Sequence, residues 1–231
     1  MSTPCTTTLS GSSVEAWKKL QTDIAETCKD SHRSPEEVQL LAVSKTVPAD
    51  NIVPLLQAGQ SLFAENRVQE AAEKWTHLRQ RFHPIELHLI GHLQSNKTAQ
   101  AVKIFDIIQT IDREKIAKCL AEEMQKQEKY LPCYVQVNIG LEPQKSGVAP
   151  QDVVSFVDRC KKHYGLNVVG LMAIPPIQEN PGPYFALLAK LAKKASLQKL
   201  SMGMSSDFKI AIQFGSNVLR IGSAIFGERL S

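Results

Sequence analysis

Gln39-Leu40-Leu41-Ala42-Val43-Ser44-Lys45-Thr46 decides how the rest of the chain is read. Four apolar residues in a row, closed by a serine and a lysine, make a strand that is apolar on both faces. Such strands belong to parallel sheets, whose two faces are both covered. Seven further segments repeat the pattern. They begin at Ser61 (SLFAEN), Glu86 (ELHLIGHL), Ile107 (IIQTID), Pro132 (PCYVQVNI), Asn167 (NVVGLMAI), Lys199 (KLSMGMS) and Asn217 (NVLRIGSAIFG). Between them lie amphipathic stretches at helical spacing: residues 50–58, 68–80, 97–104, 113–129, 150–163, 184–197 and 208–214. Eight strand–helix units of about 25 residues each predict a single (β/α)8 TIM-type barrel. An open doubly wound sheet is the alternative, because one sequence does not reveal strand order.

The ends and composition fit one such domain. Val14, Trp17, Leu20 and Ile24 are spaced for an extra N-terminal helix over residues 14–29, with Ser13 as its N-cap. Residues 1–12 read as a flexible Ser/Thr-rich tail without the basic start or apolar core of an export signal, which leaves residues 13–231 as the barrel. Pro175-Pro176 and Pro181-Gly182-Pro183 mark one long loop after the sixth strand. An apolar fraction of 43% over 231 residues is enough for a sizeable core. With a net charge of +4 and no Lys/Arg block beside aromatic residues, nucleic acid is disfavoured as a partner. No apolar run approaches the roughly 20 residues of a membrane span. Five scattered cysteines without a CxxC pair argue against a disulfide framework or a zinc site, and fit the reduced thiols of a cytoplasmic protein.

In these barrels reactive groups collect at the C-terminal ends of the strands and in the loops beyond. The polar residues of this chain gather there: Ser44 to Thr46, Glu65-Asn66-Arg67, His92 to Lys97, Asn138, Ser205 to Asp207, and Arg220 with Gly222-Ser223. Lys45 ends an uncharged run, and a lysine at the mouth of a buried strand is partly desolvated. That favours a neutral amine able to condense with an aldehyde. The plainer reading is a rim lysine that packs its stem and keeps its ammonium in water. Ser201 to Asp207 and Arg220 to Ser223 are small-residue segments on strands seven and eight, the usual phosphate site of this fold, where backbone N–H groups can approach an anion. Tight turns alone would also explain their glycines. Arg220 among Val218, Leu219 and Ile221 needs a partner, either a carboxylate such as Asp207 or Glu228 or a bound ligand. His88 and His92 would share one face of a strand, but no carboxylate stands at ligand spacing, so no metal site is expected. GxGxxG after a strand, GxxxxGK[ST], HExxH and GxSxG are all absent.

With these residues in hand, the chain resembles the pyridoxal phosphate homeostasis protein family, relatives of the alanine racemase barrel. The resemblance runs in order through AVSK (from Ala42), AENRVQE (from Ala64), HLIGHLQSNK (from His88), QVNI (from Gln136), KSGV (from Lys145), GLMAI (from Gly170), LSMGMSSD (from Leu200) and RIGSAIFG (from Arg220). It implies that pyridoxal 5′-phosphate (PLP) forms a Schiff base with Lys45 and that Asn66 lies near its ring. It further implies that Ser205, Gly222 and Ser223, with Met204 and Ser206 beside them, hold the phosphate, and that Arg220 faces the ring nitrogen. Lys97 and Lys145 match family lysines of secondary or transfer role. Ala64, Arg67 and Asn217 depart from the commoner Gly, Tyr and Thr.

Three functions compete on this reading. The first is a PLP carrier or regulator without significant catalysis, acting as a monomer, with PLP-dependent apo-enzymes as further partners. The second is an amino-acid racemase, which needs a second acid/base opposite Lys45. Of Tyr130, Tyr134, Tyr164 and Tyr184, only Tyr184 is placed to reach the mouth. The third is a PLP-free barrel acting on another phosphorylated metabolite, which leaves Lys45 and Arg220 without a joint role.

Overall fold

A computed structural model describes residues 9–227. Its eight parallel strands are β1 (Gln39–Val43), β2 (Leu62–Glu65), β3 (Glu86–Leu89), β4 (Ile107–Ile111), β5 (Cys133–Val137), β6 (Val168–Ala173), β7 (Lys199–Ser201) and β8 (Val218–Ile221). They pair in chain order and close, β8 lying beside β1 with Leu41 opposite Arg220. The open-sheet alternative is thereby excluded. Outside the barrel run α2 (Ala49–Gln57), α3 (Val68–Arg81), α4 (Thr98–Ile104), α5 (Glu114–Lys126), α6 (Val153–Lys162), α7 (Pro181–Lys194) and α8 (Phe208–Gln213). The extra helix α1 (Leu9–Asp30) packs Trp17, Leu20, Ile24 and Cys28 into the core, and the Trp17 indole N–H donates to Gln60 at 2.8 Å.

Three boundaries differ from expectation. Helix α1 starts at Leu9, so Ser13 is a buried residue in its interior and not its N-cap; residues 9–12 of the expected tail are helical, and residues 1–8 lie outside the described range. Pro181-Gly182-Pro183 is the first turn of α7, where Asn180 caps the helix by accepting from Gly182 N–H at 3.0 Å. Proline at a first helical position lacks only a donor that would go unused. The apolar tail of the eighth strand is a single turn, α9 (Ser223–Phe226).

Strand alternation divides the core in two. Leu40, Ala42, Phe63, Leu87, Leu89, Leu171, Leu200, Leu219 and Ile221 face outward to the helices. Leu41, Val43, Ala64, Tyr134, Met172 and Val218 form a separate cluster inside the barrel. Successive side chains point to opposite faces, so each inward series fixes what the residue two positions on will do at the barrel mouth.

No helix among the described residues is long and apolar enough to cross a membrane. Cys28, Cys119, Cys133 and Cys160 are free thiols; Cys5 lies outside the described residues.

Candidate functional site

Lys45 continues the inward series of Leu41 and Val43, Asn66 that of Leu62 and Ala64, Ile90 that of His88, Ile174 that of Met172, and Gly222 that of Arg220. These tips converge on one cavity of about 710 Å³ at the C-terminal end of the barrel. The eight residues that the resemblance assigns to the cofactor all line it: Lys45, Asn66, Met204, Ser205, Ser206, Arg220, Gly222 and Ser223. Lys45 is half-buried against this cavity.

The segment carrying Lys45 is held from behind. Ser44 falls on the outward parity, and its hydroxyl donates to Glu65 Oε1 at 2.8 Å. The Glu65 carboxylate, fully buried, also accepts from Lys74 Nζ at 2.9 Å and Trp75 Nε1 at 3.0 Å. Lys74 donates further to the Ser44 carbonyl at 2.8 Å and to Glu70 at 3.0 Å, and Glu70 accepts from the Thr46 N–H. Thr46 has φ +64, a left-handed conformation costly for a β-branched residue. The flanking hydrogen bonds hold the chain in that bend, next to the reactive amine.

Asn66 is placed by a close backbone approach. A Cβ at Gly91 would lie 1.9 Å from the Asn66 carbonyl oxygen, so only glycine lets β2 and the segment after β3 meet there. Asn66 Oδ1 is buried and without a hydrogen-bond partner, an arrangement that costs free energy unless a ligand group donates to it.

Across the cavity, Gly203 takes φ +96 and its carbonyl accepts from Arg220 N–H at 3.0 Å. Asp207 Oδ1 accepts from Met204 N–H at 2.6 Å, shaping the loop after β7; burial raises its carboxyl above the usual range, opposed by that bond and by Arg220. This loop brings Ser205 to Ser223, hydroxyl to hydroxyl at 3.0 Å, and the Ala224 N–H donates to Ser205 Oγ at 3.3 Å. Arg220 is buried, donating from Nη1 to Ser201 Oγ at 2.7 Å and from Nη2 to the Ala173 carbonyl at 2.9 Å. Burial lowers its pKa to about 10, with Asp207 acting against the shift, so it stays charged at neutral pH. Among the described residues no carboxylate forms an ion pair with it; Glu228 lies outside them.

Several polar residues expected near the mouth lie elsewhere. Glu65 faces α3, and Arg67 is exposed and off the cavity. Asn217 sits at the start of β8, where its Oδ1 accepts from Leu200 N–H at 3.0 Å, so it serves strand pairing and not an anion. His88 is buried inside β3, whereas His92 lies beyond that strand and pairs with Asp112, so the two do not share a strand face. Lys97 and Lys145 do not line the cavity; Lys145 pairs with Glu142. Tyr184 belongs to α7 and bonds Glu179. Sequence reasoning missed Ser13, Asn51 and Phe226 as cavity residues, whereas Thr46 lines it as its place at the mouth suggested. Strand parity flags none of these three, since they come from helices α1, α2 and α9.

Residues 24–230 match the family model for the alanine racemase N-terminal domain. The chain is 44% identical over 211 residues to the pyridoxal phosphate homeostasis protein of Vibrio cholerae, covering 85% of this chain and 88% of that one. It is 39% identical over 221 residues to the protein of the same name from Pasteurella multocida, at 91% and 95% coverage. Among solved structures, PipY of Synechococcus elongatus with PLP bound superposes with a TM-score of 0.80 at 33% identity, covering 93% of this chain and all of that one. Its PLP-free form gives 0.82. The chain belongs to the pyridoxal phosphate homeostasis protein family, built on the alanine racemase N-terminal domain.

Proposed function

We propose that this chain binds PLP through a Schiff base at Lys45 and handles the cofactor, as carrier or regulator of its free pool, without turning over a substrate. The observation that carries the reading is the convergence of the strand-1 lysine, the buried Arg220 and the paired Ser205 and Ser223 hydroxyls on one cavity, with the unpartnered Asn66 Oδ1 beside them. Those donors and acceptors fit PLP. Bound there, PLP supplies an aldehyde that condenses reversibly with an amine.

The chain's own residues divide the work. Lys45 provides the amine from a stem packed at the end of β1. Ser205 and Ser223, with the backbone about Gly222, offer hydroxyl and N–H groups to the phosphate, and Met204 and Ser206 complete that wall. Asn66 closes the side next to Lys45. Arg220 would offer the ring nitrogen a donor that keeps its own proton, which would leave the ring a weak electron sink and disfavour carbanion chemistry. Among the described residues the only titratable side chains on the cavity are Lys45 and Arg220. No tyrosine lines it, so the described residues offer no second acid/base for racemisation there. The reading extends to a cytoplasmic monomer that passes PLP to apo-enzymes.

Titration with PLP tests the proposal. We expect one equivalent to be taken up with a visible absorbance band, and no inversion of amino-acid stereochemistry at enzyme-like rates. A protein that stays colourless overturns the cofactor reading, and racemisation abolished by Lys45→Ala overturns the carrier reading.

A further inference from the structure

The barrel interior contains a continuous polar chain between its two ends. Arg220 Nη1 lies 2.7 Å from Ser201 Oγ, Ser201 Oγ lies 2.6 Å from Gln109 Oε1, and Gln109 Nε2 lies 2.7 Å from His88 Nδ1. His88 Nε2 then reaches Glu86 Oε1 at 2.8 Å. The four inner groups come from β8, β7, β4 and β3, and each residue is buried. Glu86 alone is partly exposed, at the N-terminal end of β3.

The two ends and the orientation of the Gln109 amide together give the chain a polarity. A guanidinium only donates and a carboxylate only accepts. Glu86 is held as a carboxylate, its pKa lowered chiefly by the bond from His88. Gln109 turns its Nε2 toward His88 Nδ1, so that ring nitrogen accepts and His88 Nε2 carries the proton given to Glu86. Gln109 then offers its NH2 to His88 and its carbonyl to Ser201, and the Ser201 hydroxyl, donating to Gln109, keeps a lone pair for Arg220. This arrangement satisfies every group, and such buried networks rigidify what they hold. An arginine held only by the Ala173 carbonyl would be free to swing about that single bond.

We propose that Ser201, Gln109 and His88 are positioning residues that hold the Arg220 guanidinium in place at the cofactor cavity. This deepens the PLP reading and rests on it for its spectroscopic consequence. Without the chain, Arg220 stays charged but loses its fixed direction toward the ligand.

The test compares wild-type protein with Ser201→Ala and Gln109→Leu, each alone and combined with Arg220→Met. Ser201→Ala removes a single oxygen, which keeps the experiment decisive if Gln109→Leu folds poorly. In the unliganded protein, 15N NMR of the arginine side chains should show a restricted guanidinium in wild type and an averaged one in both variants. With PLP, each single variant should bind about tenfold more weakly or worse, the size of one lost hydrogen bond to a charged group, and its visible band should be displaced. In the Arg220→Met background neither substitution should add to the loss. Unchanged guanidinium signals in both variants, or a PLP deficit equally large with and without Arg220, would overturn the proposal. If wild-type protein takes up no PLP, the cofactor reading fails on its own, while the NMR comparison still decides whether the chain positions Arg220.

Discussion

Lys74 Nζ lies 2.9 Å from the Glu65 carboxylate and 2.8 Å from the carbonyl of Ser44, so one buried ammonium ties the end of β2 to the residue preceding Lys45. Both side chains are nearly or fully excluded from water. Removing one partner of such a pair leaves the other as an uncompensated buried charge. Lys74→Met should therefore cost about 3–5 kcal/mol in urea unfolding. It should also slow Schiff-base formation, because the Ser44–Thr46 segment loses its anchor. A change below about 1 kcal/mol would show that the ion pair is not coupled to the fold as described.

Gly91 should tolerate no side chain. A methyl group there would stand 1.9 Å from the Asn66 backbone, which must move. Gly91→Ala is expected to destabilise the protein by about 1–3 kcal/mol and to weaken PLP binding, since the displaced residue borders Lys45. Thermal unfolding and PLP titration check both halves. Native affinity in this variant would show that Asn66 is not part of the ligand's surroundings.

Glu86 gives the protein an acid-side dependence of definite sign. The hydrogen bond from His88 holds its folded-state pKa below the ordinary glutamate value. A carboxylate with a depressed folded pKa contributes stability that is present above the unfolded pKa and lost as pH falls through the folded one. Urea unfolding free energies should thus decline more steeply below the ordinary glutamate range in wild type than in Glu86→Gln, which keeps an acceptor for His88 but does not titrate. Identical slopes would contradict this assignment.

Much of this was legible before the structure. The strands read correctly because residues such as Leu40 to Val43 are buried on both faces, so composition alone marks them. The tip residues Lys45 and Asn66 followed from their place at strand ends. The missed features have physical causes. Ala224-Ile225-Phe226 looks like strand because a single helical turn with a buried Ile225 carries the same apolar letters. Pro181-Gly182-Pro183 looks like loop because helix-starting and loop-making prolines are alike without the cap from Asn180. From the sequence His88 reads as a companion of His92 and Ser201 as the start of a small-residue segment, while nothing marks Gln109. Their signal was available in the inward parity of otherwise apolar strands, but their joining depends on barrel closure, which brings Gln109 to Ser201 across 92 positions of sequence.

The account stands or falls on the amine of Lys45. Borohydride reduction of the PLP-loaded protein, followed by digestion and peptide mass spectrometry, reads cofactor and residue together. The account predicts a pyridoxyl phosphate adduct on the peptide carrying Lys45, absent from Lys45→Ala. An adduct spread over surface lysines with none at Lys45 would contradict it.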